Sequence, residues 1–237
     1  MTRPLFREDS YLRRCQARVE SVTADGICLD QTVCYPRGGG QPGDTGRLVT
    51  DDGRVIELGE TLPGEDGAII HVPSEDGVVL MPGEPVSVSI DWPRRFAHMR
   101  MHTCLHLLGA VLRYGVTGGN VGIRRSRLDF DMPDAPDREK TAAALNALVR
   151  QDLPVRAFWI SEEALDARPD LVRTLSVRPP RGAGRVRLLE IPGVDLQPCG
   201  GTHVAHTGEI GAVRVARIEK KGKRNRRVYV ELEEPGL

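Results

Sequence analysis

The stretch His98-Met-Arg-Met-His102-Thr-Cys-Leu-His106-Leu-Leu decides the fold of this chain, together with the distant segment Cys199-Gly-Gly-Thr-His203. In an α-helix, residues four positions apart lie on one face, because 3.6 residues make one turn. His102 can therefore pair with His98 or with His106 to aim two imidazoles at one point. Spacing alone leaves both pairs open.

The second segment supplies a thiolate from Cys199 and an imidazole from His203. Gly200 and Gly201 disfavour a helix and let the backbone approach a ligand, so we expect a turn here. Cysteine and histidine are ligands that Zn²⁺ prefers, usually in a tetrahedral set. The two segments together predict one bound zinc ion per chain.

The residue after His102 limits the chemistry of such a site. A zincin peptidase has the pattern H-E-x-x-H, because its metal-bound water needs a glutamate as general base. Here that position is Thr103, which disfavours a metallopeptidase or amidase. A catalytic ion would have to acidify water largely by itself or with help from the substrate.

Charged residues are balanced in number but not in position. The chain of 237 residues has 33 Lys plus Arg and 33 Asp plus Glu, yet ten acids accompany one base between Asp51 and Asp91. Between Arg214 and Arg227, eight bases accompany one acid. Such a basic run is usually a solvated surface, but its position just after Cys199 and His203 favours contact with the phosphates of a polyanion.

The cysteine content and the apolar runs indicate the compartment. The five cysteines are odd in number and lack the spacing of a disulfide framework. No segment resembles a signal peptide, and no apolar run approaches the roughly 18 residues that would span a bilayer. We therefore expect a cytoplasmic protein with no membrane partner. No sequence feature points to an obligate protein partner.

The order of strand-like and helix-like segments predicts two domains in an α+β fold. Residues 1–91 are short strand-like runs separated by Gly, Pro and Asp clusters, which favours a small antiparallel β-barrel. A Gly-rich loop over residues 37–46 interrupts them, either as a mobile hairpin loop or as a backbone surface for a ligand. Residues 92–237 mix helices and strands without βαβ alternation, which is typical of an α+β domain.

The second domain begins at Trp92-Pro93, where the proline restricts the residue before it and opens a helix. This helix is predicted to extend to about residue 114, with a core stripe formed by Met101, Leu105, Leu108 and Leu112. A second helix is expected between residues 134 and 151. Strands are expected over residues 127–131, 155–160, 185–191, 211–218 and 226–232, with residues 116–120 and 193–199 as connections.

Several motifs resemble the editing domain of alanyl-tRNA synthetase and its free-standing relatives, the AlaX trans-editing proteins. The motifs are His102-Thr-Cys-Leu-His106-Leu-Leu, Cys199-Gly-Gly-Thr-His203-Val, Gly38-Gly-Gly-Gln41-Pro, Ser126-Arg-Leu-Asp129-Phe, Gly193-Val-Asp195, Thr207-Gly-Glu-Ile210-Gly and the basic run from Ile218 to Arg227. Threonyl-tRNA synthetase carries a similar editing domain. The resemblance covers residues 33–230 and implies the medium-length class, whose N-terminal barrel bears the Gly-rich loop.

The resemblance also implies the ligands and the reaction. The zinc ligands would be His102, His106, Cys199 and His203, which leaves His98 outside the set. Residues 92–237 would form a zinc-dependent editing domain that hydrolyses the aminoacyl ester of mischarged tRNA(Ala), chiefly Ser-tRNA(Ala), with Gly-tRNA(Ala) as a further candidate. The partner is the acceptor end of tRNA(Ala). A chain of this length has no room for an aminoacylation core, so it would act in trans.

Selectivity requires a group that recognises the serine hydroxyl, since serine and alanine differ only there. Thr103 and Gln41 are the candidates, although the common alternative for Thr103 is a bond to the backbone carbonyl four residues back. Substrate contacts are expected from the loop glycines Gly38, Gly39 and Gly40 and from the hairpin residues Lys221, Lys223 and Arg224. The family usually has an aromatic residue at the position of Cys34, beside the loop. The alternative function is a zinc-stabilised tRNA-binding module without catalysis.

Overall fold

The chain divides into two compact units in the computed structural model, which describes residues 1–172 and 184–233. The units are Met1–Phe96 and Ala97–Leu237. Their elements together make an α+β fold, which confirms the fold class predicted from the sequence. The boundary expected after residue 91 lies just before this division, because the next helical turn still belongs to the first unit.

Six of the eight strands in the first unit close into an antiparallel barrel. The strands are β1 (Arg3–Pro4), β2 (Arg14–Thr23), β3 (Gly26–Leu29), β4 (Gln31–Thr32), β5 (Gly46–Thr50), β6 (Val55–Pro63), β7 (Ile69–Pro73) and β8 (Pro85–Ile90). The barrel order is β2-β3-β7-β6-β5-β8, and β1 pairs with β4 in parallel. Closing the ring removes the unpaired edges that an open sheet would expose.

Alternating side chains explain why these short segments form a barrel. In β8, Val86 and Val88 are fully buried, while Ser87 between them and Ser89 after them are only partly covered. Successive side chains of a strand point to opposite faces, so each strand contributes one apolar face to the interior. Leu48 of β5 and Ile27 of β3 complete the same core. The antiparallel barrel predicted from the sequence is confirmed.

The helix α1 (Trp92–Leu112) carries the two histidines that matter most. The Asp91 carboxylate accepts from the backbone N–H of Arg94 at 3.1 Å and so caps the first turn. The helix ends two residues before the predicted end, because Arg113 adopts a left-handed φ of 57°. The predicted single core stripe is too narrow. From residue 98 to residue 110, only Arg100 escapes full burial, as expected for a helix covered on nearly all sides.

The described residues of the second unit form two antiparallel sheets and two further helices. Its elements are β9 (Val116–Asn120), β10 (Arg125–Asp131), α2 (Arg138–Arg150), β11 (Arg156–Ser161), α3 (Glu162–Asp166), β12 (Arg185–Ile191), β13 (Asp195–Pro198), β14 (Val213–Lys220) and β15 (Asn225–Leu232). One sheet has the order β14-β15-β10-β9 and the other β11-β12-β13. Within the described part of the chain, no helix has the length and apolar character needed to cross a membrane.

Two of these strands were expected to be connections. β9 contains Gly118 and Gly119, which lower its intrinsic strand preference, and it forms because it pairs with β10. β13 has four residues and pairs with β12 from Asp195 to Pro198. Cys199 follows directly after this strand.

Candidate metal centre

Four side chains from two distant segments meet in the second unit. His102 and His106 lie on successive turns of α1, and Cys199 follows β13, with His203 four residues later. One ligand atom from each of them lies within 4.8 Å of all the others. His98, one turn before His102, is buried but lies outside this group. Of the two helical pairs that spacing left open, the structure assembles His102 with His106.

The separations within this group fit a tetrahedral metal ion. The Sγ atom of Cys199 lies 3.2 Å from Nε2 of His203 and 3.6 Å from Nε2 of His102. Zinc bonds of about 2.0–2.3 Å place tetrahedral ligand atoms roughly 3.3–3.8 Å apart. The donor set of one thiolate and three imidazoles also suits zinc. The group can therefore hold one metal ion.

Burial and mutual charge set the protonation of these ligands. Burial opposes ionisation of Cys199, but the three imidazoles outweigh it and hold the pKa of the thiol well below its usual value. Burial lowers the pKa of His203 to about 3. For His106, burial is outweighed by the Cys199 thiolate and by Asp195, which raise the pKa to about 10. A thiolate and a neutral His203 are already the forms that bind a metal ion.

Asp195 fixes the orientation of His106. Its Oδ2 accepts from Nδ1 of His106 at 2.8 Å and from Nε2 of Gln197 at 2.7 Å. The Nδ1–H of His106 is therefore committed, and Nε2 remains for the metal. Carboxylates commonly hold metal-binding histidines in this way. The sequence showed Asp195 only as part of a motif, and Gln197 was not predicted at all.

Arg187 holds the turn that carries the other two ligands. Its Nη1 donates to the carbonyl oxygens of Cys199 and Gly201, both at 3.0 Å. The backbone N–H of Cys199 donates to the carbonyl of Arg187 at 3.1 Å. A buried guanidinium on β12 thus fixes a glycine-rich turn that has little structure of its own. Only its place in a strand that precedes the turn could have indicated this role.

Thr103 is fully buried against the same turn. Its hydroxyl donates to the carbonyl of Met99 at 2.9 Å, the bond four residues back that is common for helical threonines. The same oxygen lies 3.2 Å from Nδ1 of His203 and accepts from the N–H of Val204 at 3.3 Å. Since a hydroxyl offers one donor and two acceptor positions, these three contacts use its full capacity.

Comparisons with known proteins agree with these elements. Residues 186–229 match the family model "Threonyl and Alanyl tRNA synthetase second additional domain", and residues 10–94 match "tRNA synthetases class II (A)". The alanyl-tRNA editing protein AlaX-M of Methanosarcina acetivorans is 37% identical, over 98% of this chain and 99% of that protein. The chain belongs to the AlaX family of alanyl-tRNA editing proteins. The matched segment 186–229 contains Cys199 and His203.

Two further relatives define which part of the family this chain resembles. The AlaX-M protein of Saccharolobus solfataricus is 34% identical, over 97% of this chain and 98% of that protein. An alanine–tRNA ligase of Methanothermobacter thermautotrophicus is 31% identical, over 92% of this chain but only 25% of the ligase. The chain therefore matches these AlaX-M proteins along nearly their whole length and the ligase along one quarter of it.

The Gly-rich loop of the AlaX match lies in the first unit and is well ordered by hydrogen bonds. Gly38 and Gln41 bond to each other through both backbone groups, at 3.1 and 2.9 Å, around Gly39 and Gly40. These two glycines have φ values of 56° and 82°, which a two-residue turn of this type requires. The Gln41 side chain is fully buried. The loop is thus a tight turn with a defined backbone.

A buried ion pair fixes the C-terminal end of this loop. The guanidinium of Arg95 donates from Nε to both carboxylate oxygens of Asp44, at 3.0 and 2.9 Å, and both side chains are buried. Nη2 of Arg95 donates to the same carboxylate, as does the backbone N–H of Tyr35, at 2.6 Å. Arg95 also donates to the carbonyls of Ser10 and Val33. Such pairing is needed because an unpaired buried charge is costly.

The three predicted phosphate-binding residues lie at or next to the β14–β15 turn and are solvent-exposed. Lys221 pairs with Glu219 at 2.7 Å, and Arg224 pairs with Asp131 at 2.9 Å. Lys223 lies at the tip of the turn. Exposed ion pairs contribute little to stability, so these cations can exchange partners with a phosphate.

Proposed function

We propose that this chain is a cytoplasmic, zinc-dependent deacylase that acts in trans on mischarged tRNA(Ala). The substrate is chiefly Ser-tRNA(Ala), with Gly-tRNA(Ala) as a further substrate, and the bond hydrolysed is the aminoacyl ester. The observation that carries the proposal is the group of His102, His106, Cys199 and His203 at ligand separation. It occurs in a chain that matches free-standing editing proteins along their whole length.

The exposure of the four ligands suggests where the substrate approaches. Cys199 is partly exposed, whereas the three histidines are buried. The aminoacyl ester would therefore reach the cluster on the Cys199 side. Zinc, when bound, would supply Lewis acidity and a fixed point of attachment for the amino group or the ester carbonyl. Four protein ligands would complete a tetrahedral set, so direct attachment of the substrate would require a fifth position or the release of one ligand.

The residues around the cluster hold the metal ligands in place, and we assign none of them as the general base. The Oδ2 atom of Asp195 accepts from His106 and Gln197, so this carboxylate orients a metal ligand. An aminoacyl ester is an activated bond, and correct placement of a water beside it contributes much of the rate. We infer that the free ribose hydroxyl of the tRNA relays a proton: it accepts one from that water as it donates its own to the departing ester oxygen.

The choice of serine over alanine is proposed to depend on Thr103 and Gln41. A site that bonds the serine hydroxyl leaves buried polar groups unpaired when alanine enters, which can penalise alanine by up to roughly 10⁴-fold. The Thr103 hydroxyl already has three protein contacts, so a serine hydroxyl would replace one of them. The longest is the 3.3 Å bond from Val204, which is the easiest to exchange.

Hydrolysis and metal content test the proposal together. Purified protein is incubated with Ser-tRNA(Ala) and Ala-tRNA(Ala), with and without a chelator. We expect fast loss of serine, slow loss of alanine and inhibition by the chelator. Binding of both tRNAs without hydrolysis would instead support the zinc-stabilised tRNA-binding module. The ligand assignment fails if Cys199→Ala and His106→Ala each retain one zinc per chain.

The basic turn is proposed to hold tRNA phosphates in the ground state and in the transition state alike. Neutralising Lys221, Lys223 and Arg224 together should raise KM, flatten its dependence on salt and spare kcat. Asp131→Asn serves as a control, because it frees Arg224 from its partner without removing a cation. An unchanged KM at physiological salt would make this turn a solvated surface only.

A further inference from the structure

One face of the four-stranded sheet carries a group of arginines that the metal centre does not use. In β15, Val228 and Val230 are buried on one side, so Arg227, Tyr229 and Glu231 project from the other. The register places residues of β10 and β14 beside them on the same side. This outer face therefore combines side chains from three adjacent strands.

The charged side chains of this face form three groups, each with one carboxylate between two cations. The groups are Arg125–Glu231–Arg214, Arg127–Asp129–Arg227 and Arg217–Glu219–Lys221. We call these nine residues the arginine face. Six cations and three carboxylates leave a formal charge of +3 on it.

Exposure increases the positive character of the arginine face. The three carboxylates are only 11–15% exposed, whereas Arg125, Arg214 and Arg217 are 60–69% exposed. The carboxylates thus lie beneath these three cations and hold them in place. Arg127 and Arg227 are only 28% and 23% exposed, so the solvent-facing guanidinium groups are those of Arg125, Arg214 and Arg217. An arginine fixed in this way loses less side-chain entropy when it binds a phosphate.

We propose that the arginine face binds the phosphate backbone of an RNA stem, and that it is the surface on which the tRNA substrate docks. The identification of the RNA as tRNA rests on the proposed function. The binding of RNA phosphate is inferred from the charges and exposure of the arginine face alone. Guanidinium groups bind phosphate in a bidentate manner, and several of them on one sheet face can contact a backbone without reading bases. The docking surface thereby extends well beyond the turn residues at 220–224.

Two single substitutions separate docking from mere stabilisation of the sheet. Arg214→Gln and Glu231→Gln both break the Arg214–Glu231 ion pair, and Glu231→Gln also breaks the pair with Arg125, so loss of fold stability alone would weaken binding in both variants. Binding of labelled, uncharged tRNA is measured by fluorescence anisotropy over a range of salt concentrations. Arg214→Gln should weaken binding and reduce the slope of log K against log salt by about 0.7–0.9. Glu231→Gln should strengthen binding. Equal effects of the two variants, in size and sign, would overturn the proposal.

A triple substitution compares the arginine face with the neighbouring turn. Arg125, Arg214 and Arg217 are changed together to glutamine, and the matched control changes Lys220, Lys223 and Arg224, which removes the same charge from the turn. We expect at least about a tenfold loss of affinity for the first variant, and a smaller loss for the control. An equal or larger loss for the control would assign docking to the turn and overturn the proposal.

Hydrolysis of Ser-tRNA(Ala) by the wild-type protein is measured separately. If the wild-type protein hydrolyses Ser-tRNA(Ala) but the triple variant binds RNA as tightly as the wild type, the docking role of the arginine face is wrong and the proposed function stands. If the wild-type protein does not hydrolyse Ser-tRNA(Ala) but the triple variant binds RNA more weakly, the proposed function alone is wrong.

Discussion

Removing the charge of Asp195 should weaken metal binding without dismantling the site. Asp195→Asn keeps an oxygen that can accept from Nδ1 of His106, now 2.8 Å from the carboxylate, but it replaces a charged acceptor with a neutral one. A hydrogen bond to a charged group contributes about 1.5–3 kcal/mol, and a neutral one about 0.5–1.5 kcal/mol. The midpoints of these ranges differ by about 1.25 kcal/mol, which corresponds to roughly an eightfold weaker affinity for zinc.

Asp195→Ala should have the larger effect. It leaves the buried Nδ1–H of His106 without its acceptor and leaves the ring free to rotate, so affinity should fall about 100-fold. Affinity is measured by competition with a chromophoric chelator of known zinc affinity. Asp131→Asn is the matched control, since Asp131 is a partly exposed carboxylate that pairs with Arg224. Wild-type zinc affinity in both Asp195 variants would refute the orienting role.

Three further outcomes follow from individual contacts. Thr103→Val should reduce the preference for Ser-tRNA(Ala) over Ala-tRNA(Ala) by about 1–3 kcal/mol, and an unchanged ratio of deacylation rates in both Thr103→Val and Gln41→Ala would place discrimination elsewhere. Burial lowers the pKa of His71 from 6.5 to about 4, so the unfolded chain binds more protons between these values. Stability should therefore fall by up to about 3 kcal/mol as the pH drops through this window, and denaturant titrations of His71→Gln should lack this component. Arg187→Gln removes the charge that holds the Cys199 turn and should lower zinc affinity, whereas an unchanged affinity would show that the turn is held by its backbone bonds alone.

The sequence predicted the helices and strands whose own residues favour that structure. Strand β8 was predicted as one of the short runs bounded by Gly, Pro and Asp clusters, and α1 because apolar residues recur with helical spacing after Trp92-Pro93. β9 was missed because its glycines give no local strand signal, and the strand forms only when β10 lies beside it. The breadth of burial around α1 also depends on what packs against it, which spacing along the helix does not encode.

The candidate site divides in the same way. Residue type and spacing revealed the helical histidines and the Cys199 turn, and resemblance to the family selected the ligand set. The residues that orient those ligands were not predictable from spacing. Asp195 reaches His106 from 89 positions away in the sequence, and Arg187 reaches the carbonyl of Gly201 from a neighbouring strand. Such contacts depend on strand register, which only the folded chain defines.

Charge illustrates most clearly how the fold changes what a linear count implies. The sequence from Arg214 to Arg227 is strongly basic, yet in the structure four carboxylates lie among these cations, and only one of the four comes from the segment itself. Those carboxylates reduce the net charge but lie deeper than the arginines they hold. Potential at a surface depends on which charges meet the solvent, because buried and exposed charges are screened differently. The basic segment therefore presents an ordered row of cations, and the carboxylates fix its geometry.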